Sequence, residues 1–192
     1  HDPAGTAPAP DAHNGPDMAP TDGPLDEAAE PMLTDDVLHY MARSVLCWLA
    51  TADARGAPNV TPKEVFCAHG ARHVLIANIA SPGSARNVRA NPRVCVSFID
   101  VFVQKGYKLS GTARVVAPGD ADWHVLHGPL ARLAGEAFPI HSVIAVEVLA
   151  VQAIVAPSYR LRPGTTEAAQ VASAMRAYGV APAPGKPAAE GA

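Results

Sequence analysis

The chain has 192 residues, of which 48% are hydrophobic, and this suits one domain with extensions better than two full domains. Its formal net charge of −3 gives no overall positive field, which argues against nucleic acid and anionic lipid as partners. No stretch approaches the roughly 20 apolar residues of a membrane span, and no charged-then-apolar signal pattern opens the sequence. We therefore expect no nucleic-acid or membrane partner and a cytoplasmic location.

Cysteine and histidine spacing gives no sign of a metal site. The three cysteines, Cys47, Cys67 and Cys95, lie far apart within apolar runs and lack the paired spacing of a zinc site, so we expect free thiols in a reducing compartment. His124 and His127 lie three residues apart in a helical pattern, but no third ligand is in register with them. No bound metal is expected.

The first half of the chain predicts one helix and three strands after a long extension. Residues 1–31 are rich in Pro, Ala and Gly and predict a disordered segment. Residues 33–44 predict a short amphipathic helix with Thr34 as its N-cap. Residues 44–53 and 59–68 predict two strands joined by a turn, and residues 73–80 predict a third strand.

The second half predicts three more strands and two longer helices. After a helix-sized segment that starts near Pro82, the strands are expected at 93–103, 107–117 and 141–156. Helices are expected within 117–136 and at 165–179, where Thr165 or Thr166 is the cap and Gly179 the stop. The tail 181–192 is again rich in Pro and Ala, and it predicts disorder.

This order of elements predicts a mainly β fold. Six strands joined mostly by tight turns favour a six-stranded antiparallel β-barrel with peripheral helices over a doubly wound sheet. Neither a GxGxxG motif after the first strand nor a P-loop is present. We place the barrel domain at 32–156 and a C-terminal helical extension at 157–180.

The stretch SPGSARNVRANPRVCVSF, residues 81–98, is a candidate anion site. Pro82 suits the first turn of a helix, Ser81 can cap it, and the free N–H groups of that turn attract anions. Ser84 adds a hydroxyl, and Arg86 and Arg89 add charge. The same residues also suit a solvated surface helix.

A neighbouring strand strengthens the anion hypothesis. Side chains alternate along a strand, so Thr61 and Lys63 are expected on one face, with Pro62 between them. Proline cannot donate to a sheet ladder, so the strand is an edge or opens into a groove. A hydroxyl and an ammonium beside a helix N-terminus suit a phosphate, although a solvent-facing lysine on an edge strand is also common.

Three segments carry a family resemblance. CWLATADARGAPNVTPKEVF, HVLIANIASPGSARNVRANPRVCVSFID and GYKLSGTARVV together resemble the FMN-binding split barrels related to pyridoxamine 5′-phosphate oxidase. The resemblance covers residues 33–156. It implies a six-stranded split barrel that forms a homodimer, with FMN (flavin mononucleotide) bound in grooves between the subunits.

The resemblance also implies site residues. One strand would line the flavin ring and reach the phosphate, the next would contact the ribityl and phosphate end, and the helix would hold the phosphate. These positions are Val60, Thr61, Pro62 and Lys63, then Ile76, Ala77 and Asn78, then Ser84, Arg86 and Asn87. Ser84 stands where many relatives carry a phosphate-binding lysine.

Other positions depart from the oxidase. Gly106 stands where the oxidase carries a flavin-binding glutamine, and Gln104, Lys105 and Lys108 lie close enough in sequence to substitute for it. The residues with which the oxidase holds pyridoxal phosphate near its C-terminus have no counterpart, so oxidation of vitamin B6 is not expected.

The resemblance implies an FMN-dependent oxidoreductase that moves hydride or electrons between a nicotinamide or small organic substrate and an acceptor. The flavin carries that chemistry, and the sequence identifies no catalytic side chain. Two alternatives remain open. One is a non-catalytic flavin-binding protein that acts as a carrier, a store or a redox sensor, and the other is a split barrel that uses deazaflavin or haem.

Overall fold

The computed structural model describes residues 32–135 and 138–182. The predicted N-terminal disordered segment, and the predicted tail apart from its first two residues, lie outside this range. The described residues form β1 (Cys47–Ala52), β2 (Pro58–Lys63), β3 (Phe66–His69), β4 (His73–Asn78), β5 (Arg93–Asp100), β6 (Lys105–Val116) and β7 (Ser142–Val155). The helices are α1 (Asp35–Arg43), α2 (Pro82–Ala90), α3 (Trp123–Ala134), α4 (Ser158–Leu161) and α5 (Glu167–Tyr178).

The strands form one antiparallel sheet that curls into a barrel. Its order is β2-β1-β5-β6-β7-β4-β3, so β2 and β3 lie at opposite edges. Only Glu64 and Val65 separate these two strands in sequence, and this short link forces the two edges together. The N–H of Ala77 donates to the carbonyl of Val65 at 2.9 Å, which extends the pairing of β3 with β4 into this link.

The fold prediction is confirmed in class, and its strand count is corrected. The structure is a mainly β, antiparallel split barrel with peripheral helices, but it has seven strands among the described residues rather than six. The difference lies in residues 59–68, which were predicted as one strand. The chain leaves one edge of the sheet after Lys63 and joins the other edge at Phe66.

The barrel interior is filled by alternate residues of the strands. Along β5, Val94, Val96 and Phe98 are buried, while the residues between them are half-buried. Helix α1 packs Val37 and Met41 onto the same cluster. This period-2 burial explains why the strand pattern was visible in the sequence.

A second cluster lies outside the barrel, under α3. Leu75 and Ala77, on the other face of β4, pack with Leu126 and Leu130 of α3. Strand β4 is therefore buried on both faces, which explains its continuous apolar run.

The helix ends follow the predicted signals. The N–H of Val37 donates to Thr34 Oγ1 at 3.5 Å, and the N–H of Ala169 donates to Thr166 Oγ1 at 3.2 Å. Gly179 ends α5 in the left-handed conformation, with φ of 67°. Within the described ranges, no helix combines the length and the apolar character that crossing a membrane requires.

Candidate functional site: the N-terminus of helix α2

Helix α2 brings free backbone donors to one end of the barrel. It starts at Pro82, as expected for proline in a first turn. Ser81 occupies the N-cap position, but its side chain makes no capping hydrogen bond. The first N–H groups of the helix therefore have no partner within it, and an anion is a suitable partner for them.

Two polar contacts hold α2 against β1 and β2. The hydroxyls of Thr61 and Ser84 lie 2.9 Å apart and share a hydrogen bond. One turn later, Asn87 Nδ2 donates to Thr51 Oγ1 at 3.1 Å, and Asn59 Nδ2 donates to the same oxygen at 3.2 Å. Because Ser84 is fully buried, its hydroxyl orients the helix on the strand and is not exposed to solvent.

Lys63 is a buried residue whose amine has no partner in the part of the chain that the structure describes. Its exposed fraction is 6%, and among the described residues it makes neither a hydrogen bond nor an ion pair. Its neighbour across the sheet is Cys47, which is also buried. Burial lowers the pKa of Lys63, partly offset by Cys47, and burial raises the pKa of Cys47 to about 12. Such an amine is stabilised by any anion that reaches it.

A pocket joins Lys63 to the start of α2. Its volume is about 220 Å³, and it contains Lys63 together with the N-cap Ser81. The remaining lining is mostly apolar and comes from the strand ends and the segment before β7: Pro62, Glu64, Val65, Ala77, Ile79, Ala80 and Phe138. The ammonium of Lys63, with the start of α2 next to the lining residue Ser81, suits a phosphate, and the apolar walls suit a ring or a carbon chain. Glu64 is the second charged residue of the lining.

The predicted residues of β4 divide between the pocket and the barrel core. Ala77 lines the pocket, whereas Ile76 lies in the core. Asn78 is buried, and its Nδ2 donates to Ser142 Oγ at 3.0 Å. Its Oδ1 is a buried acceptor with no hydrogen-bond partner among the described residues.

The predicted residues of β2 lie on two different faces of the strand, because side chains alternate along it. Thr61 and Lys63 share the inner face, as predicted, while Val60 and Pro62 lie on the exposed face. Pro62 still reaches the pocket because it lies where the strand ends. Arg86 is exposed on α2, in the turn after Ser84.

The predicted residues of the β5–β6 turn contact the C-terminal helix instead of α2. Lys105 Nζ lies 2.7 Å from Glu167 Oε1, and Gln104 Oε1 accepts from Gln170 Nε2 at 2.7 Å. Lys108 lies on β6 with its side chain exposed. Their proposed role toward a flavin stays a prediction.

Sequence reasoning missed five residues of the pocket lining: Glu64, Val65, Ile79, Ala80 and Phe138. Phe138 comes from the segment before β7, and no local pattern marks it as a site residue. Val65 belongs to the link between β2 and β3, which the sequence did not separate. Within residues 32–135 and 138–182 no group of three or more His, Cys, Asp or Glu could hold a metal.

Comparison with known proteins identifies the fold family. The family described as "Pyridoxamine 5′-phosphate oxidase" matches residues 33–154. HupZ of Group A Streptococcus is similar in structure, with a TM-score of 0.54 and 21% identity over 62% of this chain and 92% of that chain. The heme storage protein HutZ from Vibrio cholerae has a TM-score of 0.52 and 18% identity over 64% and 94% of the two chains.

A third similar structure is an FMN-binding protein from Syntrophomonas wolfei, with a TM-score of 0.51 and 11% identity over 63% and 88% of the two chains. No curated protein matches the chain. At these identities the structures support the fold alone. The family match spans well over half of the sequence and agrees with the curled antiparallel sheet. The chain therefore belongs to the pyridoxamine 5′-phosphate oxidase family of split-barrel proteins.

Proposed function

We propose that this protein binds FMN, with the phosphate at Lys63 and the first N–H groups of α2, and uses it as an oxidoreductase. The observation that carries the proposal is Lys63, a residue only 6% exposed and without a hydrogen-bond or ion-pair partner among the described residues, in a pocket that is also lined by Ser81, the N-cap of α2. Burying an ammonium without a counter-charge is costly, and a phosphate removes that cost.

The rest of the site supports a phosphate-bearing ligand with an apolar part. Thr61 and Ser84 fix the direction of the helix, so its N–H groups are oriented before the ligand arrives. Exposed Arg86 adds positive charge near the same end of the helix. When bound, FMN would supply hydride and electron transfer, and the protein would orient it and exclude water.

The proposal includes a homodimer with flavin sites between the subunits, as the family resemblance implies. Trp48 and Val60 support it, because they are 45% and 55% exposed on adjacent strands. A cytoplasmic location is also proposed, and the three cysteines, which are all free, support it. The substrate is proposed to be a nicotinamide or another small organic molecule.

The direct test compares FMN with riboflavin, which lacks the phosphate. We expect the purified protein to bind FMN more tightly, and Lys63→Ala to weaken FMN roughly 10- to 150-fold while leaving riboflavin nearly unchanged. Arg89→Ala is the matched control, since it removes an exposed charge from the same helix. Equal weakening of both ligands by Lys63→Ala would remove Lys63 from the phosphate site.

Haem is the second candidate, because one structural relative is described as a heme storage protein. Absorption spectra separate the two, since haem gives an intense Soret band and flavin gives two weaker bands. Anaerobic mixing with NADH or NADPH then tests catalysis. A bound flavin that neither nucleotide bleaches would favour a carrier, storage or sensing role.

A further inference from the structure

A second pocket lies beside the C-terminal end of β5, where the C-terminal segment packs onto the barrel. Its volume is about 360 Å³, and it shares no lining residue with the pocket at Lys63. It is lined by Ile99, Val101, Gln104, Ile154, Val155, Ala156, Pro157 and Tyr178. Half of these residues lie beyond the segment 33–154 that matches the family.

A glycine, Gly106, lies next to this pocket between two of its lining isoleucines. Gly106 of β6 pairs with Ile99 on one side and with Ile154 on the other. A Cβ at Gly106 would collide with the carbonyl of Phe98, so no larger residue fits there without a shift of the strand. Gly106 therefore allows the backbones of β5 and β6 to approach closely beside the pocket.

The wall made by the C-terminal segment is held in place by polar contacts. Gln170 donates to Gln104 Oε1 at 2.7 Å and accepts from Ser158 Oγ at 2.8 Å. The hydroxyl of Tyr159 donates to the carbonyl of Val103 at 2.7 Å. These contacts form the wall before any ligand binds, as is usual for small-molecule sites.

Gln104 itself is in an uncommon conformation. Its φ is 59°, and it is the one residue other than glycine with positive φ among those that the structure describes. Its carbonyl accepts from the N–H of Ala156 at 3.1 Å, which helps to hold this geometry. Strained backbone of this kind clusters at binding sites.

The chemistry of the lining defines the ligand. None of the eight lining residues is charged, so a charged molecule would lose hydration without gaining a partner. The side-chain nitrogen of Gln104 and the hydroxyl of Tyr178 make no hydrogen bond with the described residues, and both can donate. The volume equals that of about a dozen water molecules at ~30 Å³ each.

From these observations we propose that the pocket binds a neutral, mainly apolar molecule of one or two rings with an acceptor oxygen, such as a carbonyl. Tyr178, which is 60% exposed, forms part of the rim, and Gln104 or Tyr178 donates to the oxygen.

The test uses coumarin, a neutral two-ring compound with a carbonyl oxygen, and coumarin-3-carboxylate, its anionic counterpart. Binding to the full chain is followed by saturation-transfer NMR and by titration. We expect coumarin to bind with a dissociation constant on the order of 0.1 mM. We expect the carboxylate to bind at least ~10-fold more weakly.

Variants locate the binding. Ala156→Trp fills the pocket and is expected to abolish coumarin binding, while Tyr178→Ala weakens it several-fold. Leu133→Ala is the matched control, because Leu133 is 59% exposed on α3 and lies outside the pocket. Thermal melting checks that each variant is folded. If Ala156→Trp does not fold, the binding of coumarin to Tyr178→Ala decides the test. Absence of coumarin binding, equal binding of the anion, or unchanged binding in the folded pocket variants would overturn the proposal.

Discussion

Replacing Lys63 by methionine is expected to stabilise the FMN-free protein, although it removes a residue of the proposed site. Lys63 is 6% exposed and has no counter-charge among the described residues. A buried polar group without a partner costs about 1–3 kcal/mol, and more when it is charged. Methionine keeps the unbranched stem and removes the charge, so the free energy of unfolding should rise by ~1–3 kcal/mol.

Thermal melting and urea unfolding measure this gain. For a protein of this size, 1 kcal/mol corresponds to about 2–4 °C in Tm, so Lys63→Met should melt roughly 2–12 °C higher without FMN. Lys108→Met is the matched control, since Lys108 is exposed, and it should stay within about 0.5 kcal/mol of wild type. Saturating FMN should narrow or reverse the difference, because it stabilises the wild type more.

The pH dependence gives an independent check. Burial lowers the pKa of Lys63 below its ordinary value of 10.5. Between the folded-state pKa and 10.5 the unfolded chain binds more protons, so wild-type stability should rise with pH across this window. Lys63→Met lacks the titrating group, so its gain in stability over wild type should shrink across this pH window. A Lys63→Met protein that melts at or below wild type, while Lys108→Met is unchanged, would refute the reasoning.

Three further predictions concern the contacts around the two pockets. Thr61→Val and Ser84→Ala should each lower the free energy of unfolding by about 1–3 kcal/mol, because each leaves one hydroxyl unpaired. The double variant should lose less than the sum of the two, and urea unfolding measures all three. Asp100→Ala should cost about 2–4 kcal/mol, because its buried carboxylate accepts from Arg43 and from two backbone N–H groups, and chemical denaturation measures the loss. Glu167→Gln should change Tm little, since an exposed ion pair contributes only about 0.2–1 kcal/mol.

The elements of the site were predictable from local signals. Pro82 fixed the start of α2, and strand alternation placed Thr61 and Lys63 on one face. The partner of Ser84 was not predictable, because Thr61 lies 23 residues away and reaches it only through the packing of α2 on β2. Sequence suggested Ser84 as a phosphate ligand, which stays a prediction, and the structure adds that the buried hydroxyl bonds to Thr61 and positions the helix.

The limits of sequence reasoning are clearest at Gln104 and Lys105. Their place in sequence near Gly106 suggests a flavin contact, which stays a prediction. Their bonds to α5 were not predictable, because the approach of that helix depends on the C-terminal segment as a whole. Phe138 was missed for a similar reason, since only the closure of the barrel brings it to the pocket of Lys63.

Lys63 is the main positive charge that the described site offers to a phosphate. Ser84 carries no charge, Lys105 is paired with Glu167, and Arg86 is exposed and therefore screened by water and salt. Lys63 is the charged group inside the pocket that is shielded from this screening. The preference for FMN over riboflavin should therefore depend mainly on Lys63 and vary little with ionic strength, because a buried charge pair is screened far less than an exposed one. A preference that falls steeply between low and high salt would instead assign the phosphate to Arg86 at the surface.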